Sequence, residues 1–343
     1  MAGVFVSYIV PCYNIQAYLP KCLESLHKQQ IPEGDVEFVL VNDGSTDGTL
    51  AILQQFAAQD SRVTVLDQSN QGVCAARNHG LAVARGTYVF FLDGDDWLTD
   101  DASEVMYRFC RESQPDIVLF NNYKIPEGQA EGEVWIDCTR HIAAGIYPQN
   151  AYLEKTTYFP ISFKLYRRTF LLEHQIRFDE QLVAGELYTF FIHALVRAQT
   201  VGISPGFVMY YLKRKSGSAT TAISVDRDDA VIDTLHVVNG YVRRFCPQLQ
   251  EKRAYLASSF WLATSFSVIK YVGRTRYRKE IGQLMGRVRA DEDYQSLLRY
   301  FTGKGFSLSK HTALALSIRF LPPRAAYFLI RQYYKFATRK NSD

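Results

Sequence analysis

The chain has 343 residues, 47% of them apolar and 22% charged, with a net charge of +4. That is ample for a buried core in one large domain or two, and it excludes a disordered chain. Six scattered cysteines, with no Cys-X-X-Cys pair and no zinc-like Cys/His spacing, exclude a disulfide scaffold and read as ordinary thiols in a reducing cytosol.

In chain order, Phe5 to Val10 is a short β-rich run closed by Pro11, and Pro11 to Asn14 is a turn. It leads to a helical pattern with Leu19, Cys22, Leu23 and Leu26 on one face. Val36 to Val41 predicts a buried strand ending in Asn42-Asp-Gly-Ser-Thr-Asp47, after which Leu50, Ile52, Leu53 and Phe56 mark a second helix. Arg62 to Leu66 is a third strand, Asn70 to Arg85 a helix with Val73, Ala76, Leu81 and Ala84 inward, and Thr87 to Leu92 a fourth strand. Strand-helix alternation with short connections implies an α/β fold, a mainly parallel, doubly wound sheet with right-handed crossovers. A helix over Ala102 to Ser113 and a strand over Asp116 to Asn121 follow, and Glu127 to Glu133 reads as a polar hairpin or loop. Phe159 to Phe178 and Gly185 to Ala198 read as helical or mixed, and Phe207 to Leu212 as a last strand. From Asp226 the pattern is helical: Ala230 to Phe245, Glu251 to Tyr271, Tyr277 to Val288, and two amphipathic stretches after His311. A boundary near 222 divides a domain over 1–222 from a helical C-terminal region over 223–343.

The first, second and fourth strands end in polar residues at one edge of the sheet, which is where an open α/β sheet binds ligands. The fourth carries the strongest signal, Thr87 to Leu98, an apolar run that stops on Asp93, Asp95 and Asp96. Three acids within four residues repel one another, and a divalent cation relieves that repulsion most simply. Hard oxygen ligands suit Mg²⁺ or Mn²⁺, whose remaining positions go to water and a ligand's phosphates. A solvated turn with Asp96 capping the next helix is the structural alternative. Asp43 sits where it either presents its carboxylate to a base or ribose or belongs to a turn and helix cap. Arg77, on the helix before the acidic strand, either contacts a diphosphate or pairs with a nearby aspartate.

Four ordered stretches, Ser7 to Asn14, Val41 to Asp47, Asn70 to Asn78 and Phe91 to Asp96, resemble the family 2 glycosyltransferases of the GT-A fold. The resemblance implies a nucleotide-sugar donor site, with UDP the preferred nucleotide. Pro11, Tyr13 and Asn14 would lie beside the nucleotide, Asp43 would bind the base or its ribose, and Asp93 and Asp95 would serve the ribose, diphosphate and metal. Phe163 to Arg168 and Ile176 to Glu180 are similar to the family's segment before its acceptor site. Relatives then usually carry Gly-Glu-Asp, and this chain has Gly185-Glu186-Leu187, so leucine stands at the family's general-base position. Glu186 is the favoured base, although a one-residue displacement on a helix turns a side chain by about 100°. Asp179 or Glu180 taking the role, or a slow or silent protein, are the alternatives. Tyr210 to Ser218 resembles the family's closing Tyr-X-X-Arg-X-Gly-Ser element, and Lys213, Arg214 and Lys215 either fold over the diphosphate or form a solvated basic turn. A haloacid-dehalogenase-type phosphatase is a weaker match, since Asp-X-Asp is neither on the first strand nor followed by Gly-Thr. A nicotinamide-binding domain lacks its Gly-X-Gly-X-X-Gly.

Charge is segregated: Arg299 to Asp343 holds nine Lys or Arg residues against Asp343 alone, a net of +8, leaving −4 on the rest. Ala313 to Leu321, then Ala325 to Ala337 with Tyr327, Phe328, Tyr333, Tyr334 and Phe336 among Arg331 and Lys335, suit the surface of an anionic membrane, or else a helix packed on the catalytic domain. No window of eighteen apolar residues exists, and the chain starts without a charged leader. The expectation is a cytoplasmic enzyme, peripheral on the membrane, with a glycan or lipid-linked acceptor and no nucleic acid.

Overall fold

The computed structural model describes residues 3–140, 142–156, 159, 164–182, 185–215, 230–251, 279–302 and 318–339. The chain divides into two units, one comprising Met1–Thr156, Pro160–Gln181 and Glu186–Ala222, the other Thr157–Phe159, Leu182–Gly185 and Ile223–Asp343.

The first unit opens as strand-helix pairs: β1 (Val4–Cys12), α1 (Leu19–His27), β2 (Asp35–Asp43), α2 (Thr49–Ala57), β3 (Val63–Gln68), α3 (Val73–Val83) and β4 (Tyr88–Phe91). Every residue of β1 after Val4 and of β2 after Asp35 is buried, as expected for central strands covered on both faces. The edge strand β3 is only partly covered. Helix α1 exists because Leu19, Cys22, Leu23 and Leu26 recur at helical spacing, and all four are buried, each contributing about 1.5–3 kcal/mol when fully removed from water. Helix α3 buries Ala76 and Leu81, with Ala84 at its end, as expected, but Val73 is exposed and the buried side also takes in Cys74, Ala75, Arg77 and Gly80.

Next come β5 (Trp97–Leu98), α4 (Ala102–Cys110), β6 (Ile117–Pro126), β7 (Glu133–Ile136), β8 (Gly145–Pro148), α5 (Gln149–Lys155), β9 (Lys164–Arg167), α6 (Arg168–Glu173), α7 (Glu186–Leu195) and β10 (Thr200–Lys213). The sheet order is β3-β2-β1-β4-β9-β6-β10-β5, with β7 on β6 and β8 on β10. Strands β1, β2, β3 and β4 pair in parallel, as do β6 and β10, while β9 runs antiparallel to both β4 and β6. Six of the ten strands thus run one way, while β5, β7 and β8 run against their neighbours at the far side of the sheet and β9 is reversed near its middle. That strand lies within Phe159 to Phe178, where helical or mixed structure was expected; Lys164 and Arg167 at its ends hide it from any apolar count. Lys164 is nevertheless buried, its ammonium 4.0 Å from the Phe191 ring centroid, and burial pulls its pKa down to about 7. The strand expected over Phe207 to Leu212 is longer, because β10 begins at Thr200 and crosses a register slip between Ile203 and Met209.

In the second unit the described helices are α8 (Ala230–Phe245), α9 (Lys279–Ala290), α10 (Glu292–Thr302) and α11 (Pro323–Arg339). Helix α10 went unpredicted; Asp291 starts it, its Oδ1 accepting from the Tyr294 amide at 2.9 Å. Of the expected helix Glu251 to Tyr271 only Glu251 is described, as the end of a 3-10 helix (Pro247–Glu251), and most of Ala313 to Leu321 lies outside the described residues. No helix among the described residues is long and apolar enough to cross a membrane. All six cysteines are buried free thiols.

Candidate functional site

Strand order reverses between β1 and β4: β2 and β3 lie on one side of β1, β4 on the other. In open α/β sheets ligands bind at such a switch point, beyond the carboxyl ends of the strands, and there the chain places Tyr13 and Asn14 after β1, Asn42 to Asp47 around the end of β2 and Asp93 to Asp96 after β4.

The first two loops are tied together. Asn14, at φ +50, accepts the Thr46 amide on its Oδ1 at 2.8 Å, and its own amide donates to Ser45 Oγ at 3.1 Å. Gln16 Oε1 accepts from the Gly48 amide at 2.6 Å, and Asp47 Oδ2 from the Gln16 amide at 3.2 Å. Asn14 is therefore spent on holding the loops, Pro11 is buried at the end of β1, and Tyr13 projects with 48% of its surface exposed.

Asp43 is buried rather than presented. Its Oδ1 accepts from Gln68 Nε2 and the Gln71 amide, both at 2.8 Å, and its Oδ2 from the Gly72 amide at 2.9 Å, just ahead of α3. The 70–72 segment can lie so close only because residue 44 is glycine: at φ +69, a Cβ there would sit 2.5 Å from the Asn70 nitrogen.

The acidic loop is the centre of charge. Carboxylate oxygens of Asp93, Asp95 and Asp96 lie within 4.8 Å of one another. Two arginines compensate them. Arg77, 2% exposed at its side chain, donates from Nη2 to Asp93 Oδ1 at 2.7 Å and from Nη1 to Glu186 Oε1 at 3.3 Å. Burial works against its charge, but Asp93 and Glu186 more than offset this and raise its pKa. Arg214 donates from Nε (2.6 Å) and Nη2 (2.5 Å) to Asp95 Oδ2. Burial, followed by the neighbouring Asp93, raises the Asp95 pKa in spite of Arg214. Asp96 is fully covered: its Oδ1 accepts the Leu212 amide at 2.8 Å, its Oδ2 has no hydrogen-bond partner among the described residues, and burial beside Asp95 and Asp93 pushes its pKa well up. Three clustered carboxylates, one with an orphaned buried oxygen, fit a hard divalent cation.

Glu186 faces this centre despite its sequence displacement, joined to Asp93 through one guanidinium. Leu187 instead packs against the apolar core. The two alternative carboxylates are engaged elsewhere: Glu180 Oε1 accepts from Asn78 Nδ2 at 2.9 Å, and Asp179 Oδ1 from the Gln181 amide at 3.0 Å. Of the basic turn, Lys213 and Lys215 are exposed, whereas Arg214 is engaged at Asp95; Ser216 to Ser218 lie outside the described residues. Sequence reasoning missed Tyr18 and Glu127, which meet Arg214 and Lys215 from far along the chain; the only local signal is the turn-forming Pro126-Glu127-Gly128. A groove of about 990 Å³, lined by Lys21, Trp97, Tyr123, Phe207 and Tyr210 among others, contains none of the three aspartates.

The sequence profile of glycosyl transferase family 2 matches residues 7–174. Glycosyltransferase GlyG of Streptococcus pneumoniae is 30% identical over 230 residues, 62% of this chain and 72% of its own. Poly(ribitol-phosphate) beta-glucosyltransferase of Bacillus spizizenii is 29% identical over 215 residues, 62% of this chain and 33% of its own. The chain spans from 20% to 34% of the length of several such relatives. Among solved structures, residues 1–349 of Staphylococcus aureus TarS with UDP-GlcNAc superpose with a TM-score of 0.73 at 22% identity, over 97% of this chain and 92% of that one. A mannosyltransferase from Pyrobaculum calidifontis, in complex with GDP-Man and Mn²⁺, gives 0.51 at 16% identity, over 96% and 86%. Both share the GT-A architecture seen here.

Proposed function

The chain belongs to glycosyltransferase family 2, and from that premise we propose that it moves a sugar from a UDP-sugar to an acceptor hydroxyl with inversion at the anomeric carbon. The observation that carries this reading is the meeting of Asp93, Asp95 and Asp96 with two guanidinium groups at the switch point of the sheet. Relatives named as poly(ribitol-phosphate) glycosyltransferases support a role in building a cell-surface polymer or lipid-linked glycan.

In the reaction the acceptor oxygen attacks the anomeric carbon as the bond to the diphosphate breaks, and the acceptor loses its proton. The exposed Tyr13 ring stacks beside the nucleotide, while Pro11 and Asn14 fix the loop that carries it. Asp43 already accepts three N–H groups, so a carboxylate's roughly four lone-pair sites leave about one for the base or ribose. Bound at Asp95 and Asp93, Mn²⁺ or Mg²⁺ would neutralise charge arriving on the leaving diphosphate. Glu186 takes the acceptor proton, a role worth roughly 10²- to 10⁴-fold in rate. Arg77 orients Glu186 and Asp93 together.

Melting of the wild type and Asp95→Ala against nucleoside diphosphates, with and without Mn²⁺, tests this. Ligand at 100 times its dissociation constant stabilises by about 2.7 kcal/mol. A shift with UDP that needs both metal and Asp95 is expected; no shift with any diphosphate overturns the donor site. One observation favours a second reading, a nucleotide-sugar-binding protein without transfer: the Arg77 guanidinium holds Glu186 and opposes its protonation. Product formation from any donor removes it.

The second unit is proposed to rest on an anionic membrane surface. In support, Phe320, Phe328 and Leu329 are exposed in and before α11, beside the exposed Arg324.

A further inference from the structure

Arg214 is held by more than Asp95. Strands β6 and β10 run parallel and end together, with Lys213 opposite Pro126, and the Glu127 amide donates to the Lys213 carbonyl at 3.0 Å. There β6 turns: the Gln129 amide donates to the Pro126 carbonyl at 3.0 Å and Gly128 takes φ +87, the signature of a type II turn with Glu127 at its second position. Glu127 Oε2 then accepts the Lys215 amide at 2.8 Å, and its Oε1 accepts the Tyr18 hydroxyl at 3.1 Å. The Tyr18 ring lies 4.6 Å under the Arg214 guanidinium. Three segments about a hundred residues apart thus fix one side chain, and that side chain occupies the more buried of the two expected metal ligands, 17% exposed against 29% for Asp93.

We propose that Tyr18 and Glu127 are positioning residues that hold Arg214 on Asp95 as an internal counter-cation, which has to leave before Asp95 can ligate a divalent metal. The proposal rests on the reading of Asp93 and Asp95 as metal ligands. Without such a cation, Asp95 and Asp96 would face each other with only Arg77 among the described residues, itself shared with Glu186, to balance the loop. The arrangement keeps the loop neutral enough to fold in metal-free protein, and it makes cation entry compete with an existing charge-assisted pair. Arg214, once displaced, is a guanidinium at the end of a strand beside the place where diphosphate charge must be met.

The test is Mn²⁺ affinity by titration calorimetry on the full chain without nucleotide, for wild type, Arg214→Met, Glu127→Gln, Tyr18→Phe and Asp95→Asn. Loss of one charge-assisted pair predicts Mn²⁺ binding about tenfold tighter in Arg214→Met. Glu127→Gln and Tyr18→Phe should shift the same way by about two- to threefold, since they loosen the pair without removing it. A merely structural role would lower the melting temperature of these variants and leave the affinity where it was. Asp95-dependent binding in wild type with unchanged affinity in Arg214→Met overturns the counter-cation alone. Tightening in Arg214→Met with no change in the other two overturns the positioning by Tyr18 and Glu127. No Asp95-dependent binding in wild type overturns the metal reading and this proposal with it.

Discussion

Replacing Arg77 with methionine removes the one cation that, among the described residues, bridges Asp93 and Glu186, while keeping most of the side chain's bulk. The guanidinium is 2% exposed, its partners 29% and 23%, so the variant leaves two carboxylates facing a buried apolar group. Breaking a buried pair by removing one partner costs about 3–5 kcal/mol, chiefly the penalty of uncompensated charge. For a unit of this size each kcal/mol moves the melting temperature by about 2–4 °C, so Arg77→Met should melt about 6–20 °C lower in EDTA, followed by circular dichroism. The same reasoning demands a partial rescue: Asp93→Asn in the Arg77→Met background removes one stranded charge and should raise the melting temperature. In the wild-type background Asp93→Asn lowers it, and the sign reversal is the coupling that a double-mutant cycle reads. A melting temperature within about 2 °C of wild type, or no rescue by the second substitution, would refute the claim that Arg77 neutralises this centre.

Glu186→Gln should lower turnover by about 10²-fold or more while Asp179→Asn and Glu180→Gln leave it near wild type; the opposite pattern in a radiolabelled-sugar transfer assay would move the base to one of those two. Asp60 offers a test by pH. Arg62 holds its pKa at about 2, below the ordinary 3.8, so its stabilisation is complete above the unfolded value and vanishes as pH falls through the folded one. Asp60→Asn should thus cost about 2 kcal/mol near neutrality, with the gap from wild type closing below pH about 4 in urea titrations. A gap unchanged at pH about 3 would exclude the linkage. For the tail, co-sedimentation with vesicles rich in anionic lipid at low salt should fall on truncation after Phe320, and equal binding by the truncated chain would locate the contact elsewhere.

The parts of the fold that could be read from sequence are those where one physical demand dominates. Val36 to Val41 had to be a central strand because burial on both faces best explains five apolar residues interrupted by Glu37 alone, and β2 is buried throughout after Asp35, with the Glu37 carboxylate accepting from the Ser7 hydroxyl and from Arg85. The reversed strand β9 was hidden because its four residues include Lys164 and Arg167, whose burial depends on partners that a local pattern does not contain. Arg77 illustrates a false choice: it was read as either a ligand contact or an ion-pair partner, and the structure puts the ion pair within the candidate site itself. The angular argument against Glu186 failed for a definite reason. Rotation of 100° per residue applies inside a helix, whereas Glu186 is the first residue of α7, entered through Gly185 at φ +76, so its direction is set by the turn. Tyr18 and Glu127 were beyond reach because 109 residues separate them and no periodicity links a turn in one segment to a ring in another.

The six buried thiols have a practical bearing. Each is shielded from solvent, so an alkylating reagent in water modifies none of them until the surrounding structure opens. Labelling kinetics therefore count openings, in the way that amide exchange does, but at addresses a mass spectrometer resolves residue by residue. Five of the addresses lie in the first unit and Cys246 in the second, so the order of their modification separates the breathing of one unit from that of the other without any engineered probe. Cys12 is the most telling of them, for it ends β1 just before Tyr13, and Asp93 and Asp95 add their charge to the burial that keeps it protonated. A ligand that covers the switch point should silence Cys12 while Cys246 keeps its own time.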